Sequence, residues 1–243
     1  MTGTGPSGPD IAAVAGLLGD RTRLAMLTAL TDDRALPASE LALLAGISRS
    51  TASEHLSRLV EQGLLVTERC GRHTYYRMAS ADVAGALEAL AVIAPHRRPH
   101  SLRTSRELAA LGGARMCYDH LAGELGVRLA DSLWRQGLLR RTDDGFAVDA
   151  AEWDARAPLG VRCSRLAGAR RPLARACLDW SERRHHLAGG LGAALAARLF
   201  DLGWVTRSPV RHRAVRISAE GSRGLDTAFG FRPAEDLAEP AGG

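Results

Sequence analysis

The sequence predicts a mostly α fold with small β-hairpins (α+β): an N-terminal winged helix-turn-helix followed by a C-terminal domain of two repeated helix–hairpin units. Three observations carry this expectation. Apolar residues recur at helical spacing along most of the 243 residues, interrupted by short Val/Thr/Tyr runs around polar turns. Residues 38–77 order two short helices, a tight turn with a glycine, and a hairpin. And the chain spells His-Leu-Ala-Gly-x-Leu-Gly twice, at 120–126 and at 186–192.

Residues 1–10 hold Gly, Pro, Ser and Thr without apolar period and predict a flexible tail. Ile11–Leu18 and Arg21–Leu30 predict two short helices, split at "GDRT", with Asp20 capping the second. Pro37 and Ala38 open a third helix with Leu41, Leu44 and Ala45 inward, and "GIS" breaks it. Ser48 caps a fourth, whose inner face is Ala52, Leu56, Leu59 and Val60; Gly63 ends it. Val66, Thr67, Tyr75 and Tyr76 favour strands around a "CGR" turn. A last helix, Ala81–Ala94, carries the stripe Val83, Leu87, Leu90, Ala91. These elements make one domain, 11–94. "PHRRPHSL" (95–102) is a linker, 103–232 a duplicated effector or scaffold domain, and 233–243 a second flexible tail.

The duplication rests on aligning His120 with His186. Nine of the fourteen positions from His120 to Leu133 (His, Leu, Ala, Gly, Leu, Gly, Leu, Ala, Leu) match 186–199, and Gly137 matches Gly203. Both copies then turn extended, as "LLRRTDDGFAVDA" and "WVTRSPVRHRAVRIS", and both finish alike in "APLGV" and "TAFGF". A shared pattern of this length is the mark of a repeated supersecondary unit.

Composition narrows the function classes. With 46% hydrophobic and 24% charged residues the chain is ordinary for a soluble globular protein. The apolar stretch 187–205 is broken by Arg198 and Asp201, so no membrane partner is expected. "MTGTGPSGPD" lacks a signal peptide's basic start and apolar core, which predicts a cytoplasmic protein. Its four cysteines, irregularly spaced, make no disulfide framework. A net charge of +5 invites nucleic acid, but the chain has no Lys, so Arg is also its general solubilising cation. Position therefore matters more than number. No nucleophile elbow, P-loop or dinucleotide fingerprint occurs, and a Cys117–His120 pair has no evident orienting group, so no enzyme is expected.

The helix 49–61 suits the major groove of double-stranded DNA, which admits an α-helix. Ser50, Ser53, Glu54, Ser57 and Arg58 face outward, with Ser48, Arg49 and Thr51 at the first turn. Small hydroxyl residues permit close approach, and Arg49 has the forked geometry that pairs with guanine. At and near the hairpin tip, Arg69, Arg72, His73, Tyr75 and Arg77 suit phosphate or minor-groove contact. Two other readings stand: an ordinary helical hairpin with a solvated arginine face, and a protein-interaction module that has lost DNA binding.

Residues 11–94 resemble the ArsR family of bacterial repressors, carried most specifically by "ISRSTASEHLSRLVEQGLLVTERCGRHTYYRM". With "CYDHLAG" and "CLDWSERRHHLAG", the whole chain resembles a long subgroup with an added C-terminal domain. The resemblance implies a homodimer built through the first and last helices of the unit, a near-palindromic operator, and repression relieved by an effector. It also exposes a departure. The family's arsenic and cadmium sensors carry two cysteines where this chain has Ala42 and Leu44, and its zinc and nickel sensors use a last-helix histidine absent from 82–94.

No resident cofactor is required by the sequence, but an effector site can be sought in the repeat. Cys117 and His120 share a face if helical. Cys177, Asp179 and His186 crowd the second copy, and a pseudo-two-fold axis would bring His120 to His186. Cys117, His120, Cys177, Asp179 and His186 thus form a candidate constellation for zinc or another thiophilic ion. Two other readings stand beside it. The stripes Leu121/Leu125/Leu129/Leu133 and Leu187/Leu191/Leu195/Leu199, with their paired glycines, suit plain packing, and Trp180 and Trp204 suit core or the walls of a small-molecule pocket. Cys70, among Arg69, Arg72 and His73, suits a redox-sensitive thiol.

Overall fold

The computed structural model describes residues 8–95, 99–143, 145–166, 168, 171–208 and 212–233. The expected tails fall almost entirely outside these residues, as does the middle of the expected linker. The chain divides into two compact units, Met1–Val83 and Ala84–Gly243.

The first unit runs α1 (Ile11–Leu18), α2 (Arg21–Ala29), β1 (Leu36–Pro37), α3 (Ala38–Ala45), α4 (Arg49–Glu61), β2 (Leu65–Cys70) and β3 (His73–Met78). The expected caps form: Asp20 accepts from the Arg23 amide at 2.9 Å and Ser48 from the Thr51 amide at 3.2 Å. Each satisfies an amide the helix leaves free, typically worth about 1 kcal/mol. Met26, Leu27, Leu41, Ala52, Leu56, Leu59 and Met78 are fully buried and form the centre of the unit. The inner residue of α3 beside Leu41 is Ala42, while Leu44 is only half-buried. The wing pairs Cys70 with His73, leaving Gly71–Arg72 as a two-residue turn with Gly71 at φ +57. β1, not expected from the sequence, adds a third strand in the order β1-β3-β2. Two residues are too short to show a period, and its Pro37 is tolerated because the strand lies at a sheet edge.

α5 (Ala81–Ile93) crosses the division between the units. The expected stripe Val83, Leu87, Leu90, Ala91 is not its buried face. Ala84 and Glu88 are buried instead, and Leu90 and Ile93 are exposed. The cause is electrostatic: Glu88 is drawn inward by two arginines, described below.

After the remainder of α5, the second unit continues with α6 (Leu102–Gly113). It then runs twice through one order. The first copy is β4 (Arg115–Cys117), β5 (His120–Ala122), α7 (Gly123–Arg135), β6 (Arg140–Thr142), β7 (Gly145–Ala147) and α8 (Ala150–Arg156). The second is β8 (Arg175–Leu178), β9 (His185–Ala188), α9 (Gly189–Asp201), β10 (Val205–Arg207), β11 (Val215–Ile217) and α10 (Ala219–Phe229). The duplication is present, and each copy begins with a hairpin where the sequence suggested helix.

That hairpin corrects the placing of Cys117 and His120. They do not lie one turn apart on a helix; they face each other across the β4–β5 pair. Backbone conformation is the reason. Gly123 sits at φ +75 and Gly189 at φ +86, left-handed positions that halt a helix coming from upstream and let one begin there. The last glycine of each motif serves close approach: a Cβ on Gly126 would lie 2.4 Å from the Leu121 carbonyl, and one on Gly192 2.4 Å from that of Leu187.

Leu125, Leu129 and Leu133 on α7 join Leu191, Leu195 and Leu199 on α9 in one buried cluster with Trp153, Ile217, Leu225 and Phe229. Burying each leucine favours folding by about 1.5–3 kcal/mol. The copies interlock: α7 packs on β9, and α9 on β5. Gly126 thereby abuts His186, and Gly192 abuts His120. Trp204 has a packing role, its ring lying against Gly224.

Candidate functional site

Residues facing each other across an antiparallel pair project to the same side. The β4–β5 register opposes Cys117 to His120, and the β8–β9 register opposes Cys177 to His186. Each hairpin thus presents one thiol and one imidazole, and the interlocked helices bring the two pairs together. Their four donor atoms lie within 4.8 Å of one another. The sulfurs are 3.9 Å apart and the two Nε2 atoms 3.2 Å apart.

These distances can be tested against a metal. Zinc takes sulfur at about 2.3 Å and imidazole nitrogen at about 2.0–2.1 Å. The edges of such a tetrahedron are about 3.8 Å between sulfurs and about 3.3 Å between nitrogens. The residues fit.

Carboxylates behind the histidines point the same way. Asp119 Oδ1 is 3.2 Å from His120 Nδ1, and Asp179 Oδ2 is 3.4 Å from His186 Nδ1. Each favours a proton on Nδ1, which leaves the two Nε2 lone pairs aimed at one another. A proton or a metal cation between them removes that repulsion. His186 is fully buried and His120 nearly so, at 6%.

The acid–base balance follows the packing. Cys117 is pushed up to about 12 by its contact with Cys177 and by burial, while the same contact lowers Cys177. Burial opposes charge on His120 and His186, but the carboxylates and Cys117 raise both. Asp179 is pushed up by burial yet held well below the usual carboxylate range by His186, Arg115, Ser181 and the Gly123 amide.

Asp179 is the one member of the expected constellation that does not converge on the others. Its oxygens are already taken. Oδ2 accepts from the Gly123 amide at 2.7 Å and from Arg115 at 3.0 Å. Oδ1 accepts from the Ser181 amide at 2.9 Å, the Ser181 hydroxyl at 2.6 Å and the Glu182 amide at 3.1 Å. It stands behind His186, outside the four atoms that converge. Sequence reasoning missed its counterpart Asp119, whose signal was only its place beside His120, and Arg171, which binds both Asp119 and the Gly189 carbonyl. It also missed Arg115, fully buried, stacked 4.6 Å from the Trp180 ring and bonded to Leu111, Ser181 and Asp179. Nothing distinguishes that arginine among so many.

In the first unit, Ser48, Arg49, Ser50, Thr51, Ser53, Glu54, Ser57 and Arg58 are all exposed, on or capping α4. The helix N-terminus is therefore open, and its dipole favours an anion there. On the wing, Arg69, Arg72, His73 and Arg77 are exposed and Tyr75 is half-buried. Cys70 is exposed beside the wing turn. Among the described residues, no helix is long and apolar enough to cross a membrane.

Comparison with known proteins adds to this picture. Residues 18–68 match a family described as a helix-turn-helix domain. The uncharacterized HTH-type transcriptional regulator YdfF of Bacillus subtilis is 46% identical over 213 residues, covering 88% of this chain and 94% of that protein. The HTH-type transcriptional regulator CmtR of Mycobacterium tuberculosis is 39% identical over 77 residues, 32% of this chain and 64% of that one. Among solved structures, the homodimeric winged helix-turn-helix DNA-binding domain of Mycobacterium bovis Mb0332, a possible ArsR-family regulator, is 28% identical. It covers 41% of this chain and 100% of that fragment, at a TM-score of 0.34.

Proposed function

The chain belongs to the HTH-type transcriptional regulators, and from that premise we propose that it is a dimeric ArsR-like repressor whose hold on operator DNA is released by a zinc-like ion. Cys117, His120, Cys177 and His186 are the ion's ligands. The observation that carries this reading is the convergence of those four side chains at tetrahedral spacing.

The donor set suits the ion. Thiolate and imidazole select thiophilic metals over calcium or magnesium. Two thiolates with a dication give a neutral centre, which burial tolerates far better than a net charge. Four protein ligands leave no open position, as at structural and regulatory zinc sites and unlike catalytic ones. The family's usual positions, Ala42 and Leu44, offer no ligand, so the added domain takes over the sensing.

On the DNA side, Arg49, Ser50, Thr51, Ser53 and Arg58 read the major groove, while Arg69, Arg72, His73 and Arg77 hold phosphates. A second copy is supported by unpartnered apolar surface: α1 buries none of its residues, and Ile11 is 74% exposed. Metal acts by population shift, favouring the dimer form with lower DNA affinity.

The test is fluorescence anisotropy on the duplex upstream of the protein's own gene and on a scrambled duplex, at several fixed salt concentrations. Each is run with chelated and with zinc-loaded protein. Zinc is expected to weaken operator binding by about 5–150-fold, the usual range of allosteric coupling. Equal operator affinity in both forms refutes the metal response. Equal weak binding to both duplexes refutes the repressor and favours an interaction module.

A further inference from the structure

The buried polar groups around the donor cluster do not stop at the histidines. They continue to α5, and they converge there on one residue. Arg115 Nη2 lies 3.0 Å from Asp179 Oδ2 and 3.6 Å from Glu88 Oε2. One line therefore runs His186–Asp179–Arg115–Glu88. A second reaches Glu88 from the other hairpin. The Glu88 Oε1 carboxylate oxygen accepts from Arg213 Nη2. Arg213 in turn donates from Nε to the Met116 carbonyl at 3.3 Å, and its own carbonyl accepts the Met116 amide at 2.8 Å. Met116 immediately precedes Cys117.

Glu88 is 4% exposed, on a helix whose other buried side chain is Ala84. A carboxylate in that place is costly unless held by opposite charge, so two guanidinium groups fix how α5 seats on the unit. The seating is two-sided. Arg115 and Arg175 occupy equivalent places in the copies, each two residues before a ligand cysteine. Arg115 meets Glu88, and a Cβ at Gly85 would lie 3.1 Å from Arg175 Nη2. The same face of α5, residues 84, 85 and 88, thus rides on the strands that lead into both thiols. The Arg115–Glu88 contact is ion-pair distance without a hydrogen bond, and Glu88 Oε2 has no hydrogen-bond partner. That link is the longer of Arg115's two carboxylate contacts and has room to tighten.

α5 begins at Ala81, inside the winged unit as the chain divides. We infer that Glu88 is the positioning residue that transmits occupancy of the Cys117/His120/Cys177/His186 cluster to α5, and through that helix to DNA affinity. The inference rests on the metal-responsive reading above. It assigns to Glu88 a role in the response and none in holding the metal.

The experiment uses the full chain and the substitution Glu88→Gln, which keeps shape and removes charge. Arg115 keeps Asp179 as a partner, so the cluster remains supported. Cobalt(II) is titrated into both proteins, and the visible absorption of a tetrahedral thiolate site is followed. Operator affinity is then measured by anisotropy with and without zinc. Cobalt affinity and metal-free operator affinity are expected to stay within about threefold of the parent, while the zinc response collapses from the usual 5–150-fold range to within about twofold of unity. An undiminished zinc response in Glu88→Gln overturns the inference. If that variant does not retain native tryptophan fluorescence, Arg213→Gln is read by the same criteria, since it cuts one of the two lines at a partly accessible group. Here half or more of the parent's coupling free energy must be lost, and full retention overturns the inference. Failure of the premise looks different: the parent protein itself then gives no cobalt spectrum or no zinc response, and the inference falls with it.

Discussion

Asp179 is where removal of a single charge should be felt most. Asp179→Asn changes no shape, yet every neighbour of the carboxylate is a donor. The Gly123 amide and Arg115 point at one oxygen; the Ser181 amide, the Ser181 hydroxyl and the Glu182 amide point at the other. Whichever way the new amide turns, its NH2 group meets at least two of these donors. Arg115 is fully buried and its one remaining carboxylate is Glu88, at the longer distance of 3.6 Å. Removing one partner of a buried ion pair costs about 3–5 kcal/mol. For a unit of this size each kcal/mol moves the melting temperature by roughly 2–4 °C, so a fall of roughly 6–20 °C is expected. The assay is urea or thermal unfolding in chelator, followed by tryptophan fluorescence excited selectively over tyrosine. All four tryptophans, Trp134, Trp153, Trp180 and Trp204, lie beyond Val83, so the signal reports the second unit alone. A loss below about 1 kcal/mol would refute the claim that this carboxylate holds the hairpins and α7 together.

Zinc uptake should release protons, because Cys117, pushed up to about 12, is a thiol in the metal-free protein near neutral pH. Falling pH favours the protonated ligands, so apparent zinc affinity drops at least about tenfold per pH unit, and a flat profile between about pH 6 and 8 would contradict the assignment. Gly192→Ala places a Cβ 2.4 Å from the Leu187 carbonyl and should destabilise the second unit by about 1–3 kcal/mol in the same fluorescence assay. Gly190→Ala, whose nearest neighbour is at 3.6 Å, should be tolerated, and equal losses would refute the close-approach argument. Arg49→Ala should weaken operator binding by about 1–3 kcal/mol and erode discrimination against the scrambled duplex. Arg72→Ala should weaken both duplexes alike and reduce the salt slope by about one; the opposite pattern would exchange the roles of helix and wing.

Much of the winged unit was legible because its determinants are local. Asp20 and Ser48 announce helix starts, and Ala52, Leu56 and Leu59 mark an inner face at helical spacing. α5 was misread for a non-local reason, since the arginines that bury Glu88 come from Arg115 and Arg213, far along the chain. At the candidate site the sequence named the four side chains that converge, but not their geometry. A spacing of three is one helical turn, and it is also the span across a two-residue hairpin turn. Cys117 and His120 fit both, and the left-handed backbone at Tyr118 and Gly123 separates them. Asp179 was grouped with the ligands because proximity in sequence carries no record of which donors would claim its oxygens. The supporting shell, Asp119, Arg115 and Arg171, left no pattern to read, because each acts through a partner dozens of residues distant or through a turn invisible to periodicity.

The doubled motif also changes the kinetics of assembly. Each hairpin alone brings one sulfur and one nitrogen, half of a four-donor shell. Were the two halves separate polypeptides, completing the shell would be a second-order event, limited by how many copies a cell contains. Here His120 and His186 stand 66 residues apart on one chain. Their meeting is a first-order step of folding, at an effective concentration set by the tether. The cluster is therefore as complete in a single molecule as in a concentrated solution, and assembling its four donors needs no second chain.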